Sequence, residues 1–138
     1  MKRELQDELF RKYPKIFRQK DLPMTQTCMC WGIDCGDGWY WLIDRLCAAI
    51  QNHIDHGEGK IEQVEAAQVK EKFGTLRFYV DGGDELVSSI ISYSEYLSGS
   101  ICEVCGATDG ASTNRQGWMK TLCTGCRAKR KKSAGGDM

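Results

Sequence analysis

The sequence predicts an α+β fold, with an α-α-β-β-α core containing a small antiparallel hairpin and a C-terminal four-cysteine zinc ribbon. Three observations predict it. Apolar residues recur at helical spacing in three segments, the spacing changes to two on either side of Phe73-Gly74, and two Cys-x-x-Cys pairs lie near the end of the chain.

The elements follow in order. Leu5, Leu9, Tyr13 and Ile16 predict a helix over 3–13, ended by Pro14. Residues 18–37 show no sustained period and carry Pro23, Gly32 and Gly36, so they read as irregular. Asp37 is the expected N-cap of a second helix over 38–55, whose spine is Trp39, Ile43, Leu46, Ile50 and Ile54. Gly57 and Gly59 close it. Residues 61–72 and 75–80 read as strands joined by a tight turn at Phe73-Gly74. Asp84 caps a third helix over 85–98, with Leu86, Ile90, Tyr93 and Leu97 expected on its buried face. The expected organisation is an α+β domain over 1–99, a ribbon over 100–127 and a disordered basic tail over 128–138.

Cys102-x-x-Cys105-Gly106 is answered by Cys123-x-x-Cys126 across a loop of seventeen residues. Each pair can place both thiolates on one ion, and two facing pairs make the closed tetrahedron of a structural Zn2+ site. Gly106 can take positive φ and turn the chain back so that backbone N–H groups point at the sulfurs. Two disulfides are the alternative, disfavoured because no apolar export signal opens the chain; the cysteines then point to a reducing cytoplasm. Four thiolates leave no open position for water or substrate, so the expected role is folding.

Other constellations are weaker. His56-Gly57-Glu58 ahead of Cys102-x-x-Cys105 echoes the zinc deaminase order, but Ile101 stands where that signature has Pro and Cys123 and Cys126 complete the tetrahedron better. Cys28, Cys30 and Cys35, with Cys47 and His53 or His56, are either a second metal group or small buried hydrophobes. Residues 32–41 combine glycines, carboxylates and aromatics, which makes Asp34, Tyr40 and Trp41 candidates for a partner contact. Lys70 and Lys72 share a strand face with Gln68, and Arg77 and Tyr79 lie across the turn, a candidate cationic patch for phosphate or an acidic side chain.

The 19 Lys/Arg balance 19 Asp/Glu, but not locally. Residues 1–20 carry seven basic against three acidic groups, 21–99 five against thirteen, and 100–138 seven against three. Any polyanion is thereby directed to the ends, where Arg127, Lys129, Arg130, Lys131 and Lys132 are the nucleic-acid candidates. No apolar run approaches the about eighteen residues of a membrane span.

Three blocks carry a family resemblance: Cys28-Met-Cys-Trp-Gly-Ile-Asp-Cys-Gly-Asp-Gly-Trp-Tyr, Val69-Lys-Glu-Lys-Phe-Gly-Thr-Leu-Arg-Phe-Tyr-Val, and Ile101-Cys-Glu-Val-Cys-Gly with Gly117-Trp-Met-Lys-Thr-Leu-Cys. Over residues 8–126 the chain resembles short proteins of tailed bacteriophages and prophages, a family with no assigned activity. Its relatives often carry His at the position of Cys126, which completes a zinc tetrahedron equally well. The resemblance implies expression in the cytoplasm of an infected bacterium. The resulting expectation is a non-enzymatic accessory protein with one structural Zn2+ that binds a host macromolecule, a bacterial defence or gene-expression component. Nucleic-acid binding through the ribbon and tail is one alternative, and sequestration of a nucleotide or small anion by Lys70, Lys72 and Arg77 is another.

Overall fold

The computed structural model describes residues 1–136, with side chains described as far as Lys131. The chain forms α1 (Arg3–Lys12), β1 (Ile33–Asp34), α2 (Tyr40–His56), β2 (Glu65–Lys72), β3 (Thr75–Asp81), α3 (Glu85–Ser98), β4 (Ser112–Thr113), β5 (Thr121–Leu122) and α4 (Thr124–Gly136). Short 3-10 turns at Arg18–Asp21, Met29–Trp31 and Asp37–Trp39 occupy much of the stretch read as irregular. No helix among the described residues is long and apolar enough to cross a membrane.

The class is α+β, but the order is richer than the sequence predicts. β1 adds a parallel edge to β2, so the three-stranded sheet runs β1-β2-β3 and α2 is the crossover between two parallel strands. Two residues are too few to show a period. β2 begins at Glu65, not Ile61, and a register shift at Ala66/Gln68 interrupts its alternation. β4 and β5 form a separate two-stranded ladder.

One face of the sheet carries Val69, Leu76 and Phe78 into a core shared with Leu9, Ile16, Phe17, Trp39, Ile43, Leu46 and Ile50. The Phe17 ring meets Phe10 at 5.1 Å and Phe78 at 6.4 Å between centroids. α3 corrects its expected face: Val87, Ile91, Ser94 and Ser98 are buried, while Leu86 and Tyr93 are exposed. The reason lies at the free edge of β3. Leu76 N–H donates to Ser98 Oγ at 2.9 Å and Phe78 N–H donates to Glu95 Oε2 at 2.9 Å, so α3 turns polar groups toward ladder donors that would otherwise go unsatisfied. Asp84 does cap α3, accepting from Val87 N–H at 3.0 Å. Asp37 does not cap α2; its carboxylate accepts the Lys2 N–H at 2.7 Å, at the start of α1.

The hairpin turn is as tight as expected, with φ of 55° at Phe73 and 86° at Gly74. Such turns favour Asn, Asp or Gly at the first position, and a left-handed aromatic residue costs on the order of 1–3 kcal/mol. The tail read as disordered from residue 128 instead continues α4 from the ribbon as far as Gly136, since Ala128, Lys129 and Arg130 are strong helix formers. Asp137 and Met138 lie outside the described residues.

Asp44 is buried in α2 and gathers Lys12, Arg45 and Tyr13, whose hydroxyl donates to its carboxylate at 2.9 Å. Burial and this hydrogen bond push Tyr13 up to about 12. Burial raises the Asp44 pKa, but the hydrogen bonds from Lys12, Arg45 and Tyr13 outweigh it and hold the group below its ordinary value. A carboxylate with a depressed folded pKa stabilises fully above the unfolded value of about 3.9 and loses that contribution as pH falls through its folded value. Asp44→Asn is therefore expected to lower the urea midpoint most at neutral pH, with the gap to wild type narrowing on acidification. A gap independent of pH would contradict this.

Candidate metal centre and the adjoining groove

The four cysteines of the C-terminal pairs converge. The sulfurs of Cys102, Cys105, Cys123 and Cys126 lie within 4.8 Å of one another, and those of Cys105 and Cys123 are 3.6 Å apart. Sulfurs bound tetrahedrally at about 2.3 Å stand about 3.8 Å apart, so the cluster fits one metal ion.

Each knuckle has a local cause. In the first, Gly106 takes the expected positive φ of 82°, and its N–H donates to Cys102 O at 2.9 Å while Cys102 N–H donates to Ala107 O at 2.8 Å. In the second, Cys123 immediately precedes α4 and Cys126 lies in its first turn, where Cys126 N–H donates to Cys123 Sγ at 3.4 Å. A helix N-terminus favours thiolates. Burial pushes the Cys102 thiol up, yet the N–H groups of Cys105, Cys123 and Val104 prevail and hold it at about 6. Cys126 is raised to about 12, first by hydrogen bonding with Cys123 and then by burial, with the charge of Cys102 adding to it. Four thiolates this close cannot all ionise unless a cation neutralises them, and a divalent ion meets that demand.

The first cysteine knuckle is clamped to the core. Trp39 Nε1–H donates to Ile101 O at 2.8 Å, Gly38 N–H to Glu103 O at 2.8 Å, and Gly36 N–H to Glu103 Oε2 at 2.9 Å. A Cβ on Gly38 would stand 2.1 Å from Cys102 O and 2.6 Å from Gly106 N. Gly38→Ala is accordingly expected to cost about 1–3 kcal/mol and to weaken metal retention against a chelator. Unchanged unfolding and retention would sink this clamp.

The hairpin tip is stitched to the ribbon as well. Lys120 Nζ lies 3.2 Å from Glu71 Oε1 and 3.4 Å from Glu103 Oε1, and Thr121 Oγ1 donates to Gly74 O at 2.6 Å. Between the two elements runs a groove of about 520 Å3, lined by Asp34, Lys70, Lys72, Phe73, Trp118 and Met119 among others. Trp118 also lines a neighbouring groove of about 450 Å3, with Asn114, Gln116, Arg130 and Lys131.

Asp34, Lys70 and Arg77 are register partners across β1, β2 and β3. Because Val69 and Phe78 face the core, the alternation puts Lys70 and Arg77 on the opposite face. Two cations directly opposed across a ladder weaken it. Among the described residues, Arg77 Nε is the buried side-chain nitrogen without a hydrogen-bond partner.

The remaining candidates divide. Lys70, Lys72 and Asp34 share a groove, whereas Tyr40 and Trp41, at the start of α2, line neither groove. Tyr40 is half-buried, and burial and a hydrogen bond with Glu8 raise its pKa; Trp41 is 65% exposed. Lys129, Arg130 and Lys131 are exposed on α4, but the Arg127 guanidinium donates to Ser112 O and Lys120 O, which ties it to the ribbon. The Lys132 side chain lies outside the described residues. Cys28, Cys30, Cys35 and Cys47 do not assemble with a histidine into a metal group; Cys35 and Cys47 are buried, and burial pushes Cys35 up to about 12. His56 and Glu58 stand apart from the cysteine cluster.

Two residues of the grooves, Phe73 and Trp118, are absent from the sequence-level candidates. Their signals are an aromatic in a turn that favours Asn and a tryptophan in an otherwise polar loop.

No protein-family model, curated protein or solved structure matches this chain. The function is therefore read from the site.

Proposed function

We propose that this chain is a non-enzymatic binding module stapled by one structural Zn2+, and that its macromolecular partner is single-stranded nucleic acid. Zn2+ is the ion that four thiolates at tetrahedral spacing suit best, and full thiolate coordination leaves it no catalytic position. Expression inside a phage-infected bacterial cytoplasm is the setting that the resemblance supplies.

One observation carries the reading. Trp118 lines both grooves, with Lys70 and Lys72 of the hairpin in one and Arg130 and Lys131 of α4 in the other. Among the described residues these four lie in no ion pair, whereas Lys12, Arg18, Arg45 and Lys120 are each paired with a carboxylate. Unpaired cations interleaved with exposed aromatic rings are what a single strand requires: positive charge for its phosphates and π-faces for its bases. Within the acidic middle of the sequence, Asp44, Glu65 and Glu71 are spent on internal pairs with Lys12, Arg18 and Lys120.

A host protein is the second reading, supported by Trp41 and by the exposed, stacked Tyr93 and Tyr96 of α3, whose centroids are 6.3 Å apart. A nucleotide sink lined by Lys70, Lys72 and Arg77 would use the same two lysines, but Arg77 lines neither groove.

Fluorescence anisotropy with a labelled mixed-sequence single-stranded oligonucleotide distinguishes these readings. If about four phosphates are neutralised, log K falls against log salt with a slope of about −3. Lys70→Glu with Lys72→Glu should weaken binding by about tenfold or more at low salt. Failure of the wild-type chain to bind at low salt would refute the nucleic-acid reading.

A further inference from the structure

The groove between the hairpin tip and the loop 117–119 has features that charge attraction alone does not require. Phe73 is 64% exposed while held at a φ of 55°, so neither packing nor backbone preference accounts for it. Trp118 is 71% exposed. Its loop is nevertheless fixed: Asn114 Nδ2 donates to Gln116 O at 2.6 Å and Trp118 O at 3.0 Å, and Asn114 Oδ1 accepts Lys120 N–H at 2.7 Å. Two aromatic rings are thus presented to one groove by preorganised backbone, which lowers the ordering cost of binding.

The chemistry of the lining selects the occupant. A volume of about 520 Å3 suits a small organic group. Lys72 Nζ lies 5.6 Å from the Phe73 ring centroid, so a cation and a π-face sit side by side at the rim. Glu71 also lines the groove, but its carboxylate is engaged by Lys120 and the Gly74 N–H. Asp34 lines it too, beside Lys70 in the β1–β2 register, and its carboxylate can accept hydrogen bonds from a base amino group.

We propose that this groove seats an unstacked base of the bound strand against Phe73 and Trp118, with the adjoining phosphates on Lys70 and Lys72. The inference rests on the nucleic-acid reading above and gives it its recognition element. Aromatic rings accept any base face, so the seat confers affinity for single strands over duplex and little sequence preference.

The test uses the full chain loaded with zinc, a labelled oligodeoxyadenylate of about a dozen nucleotides, and the same oligomer annealed to its complement. Phe73→Gly relieves the turn and should leave thermal stability equal or higher, while Trp118→Ala removes an exposed ring. Each variant is expected to bind the single strand about tenfold or more weakly than wild type, and binding should quench wild-type tryptophan fluorescence more than that of Trp118→Ala. Wild-type preference for the single strand, lost in both variants, supports the seat. Variants that match wild type while wild type binds would overturn the seat and leave the cationic surface standing. No binding by wild type would remove both.

Discussion

Chelation of the metal, or Cys102→Ser, is expected to unfold residues 101–127 while leaving α1, α2 and α3 folded. The ribbon buries little apolar surface of its own, Ile101, Cys102 and Leu122, and its ladder pairs only two residues of β4 with two of β5, so the hydrogen bonds that tie it to the core and hairpin depend on the cysteine cluster holding its shape. Structural zinc contributes on the order of 10–16 kcal/mol of apparent binding free energy, far more than such a ladder supplies. In hydrogen-exchange mass spectrometry, peptides spanning Cys102 to Cys126 should lose protection on metal removal, and those spanning Tyr40 to His56 should retain most of theirs. The grooves on either side of Trp118 should vanish together, taking oligonucleotide binding with them. Protection that survives complete demetallation would mean that the ribbon folds without the ion.

Trp39→Ala is the second large effect. The ring is fully buried, and its Nε1–H satisfies Ile101 O immediately before Cys102, the first cysteine of the cluster. Truncating a buried tryptophan costs about 3–5 kcal/mol, and an orphaned buried carbonyl adds about 1–3 kcal/mol. Against a typical domain stability of about 5–15 kcal/mol, the sum threatens the fold. Trp39→Phe keeps most of the ring and loses mainly the hydrogen bond, so it should cost less. Urea denaturation ranks the three proteins, and the account expects wild type above Trp39→Phe above Trp39→Ala, with zinc released to a chelator in the reverse order. If Trp39→Ala destabilises the core but leaves zinc release unchanged, the core and the metal knuckle are not coupled through this side chain.

What the sequence makes legible here is periodicity and spacing. The spine of α2 shows through because one face of a long helix is buried, the hairpin because its alternation breaks at Phe73-Gly74, and the four cysteines because their spacing is tied to coordination geometry. What it hides is set by tertiary contacts. β1 exists because a two-residue segment meets β2, and Asp37 serves α1 because folding brings Lys2 to it across the sequence. α3 illustrates the same limit: of the expected stripe, Ile90 and Leu97 do pack against the core, but Leu86 and Tyr93 are exposed because the buried face is turned toward Val87, Ile91 and Ser98, where Ser98 and Glu95 meet strand amides of β3. The candidate site divides likewise. Lys70 and Lys72 are visible as alternating residues on one strand, but their union with Trp118 and α4 depends on how the ribbon docks on the hairpin.

The central claim is that four thiolates hold one structural zinc ion, and that this ion positions the surface beside it. Elemental analysis of freshly purified protein never exposed to chelator tests it most directly. The account predicts one zinc per chain, released when the cysteines of the cluster are alkylated. A folded ribbon with no stoichiometric metal, or one whose metal is removed without loss of structure, would contradict it.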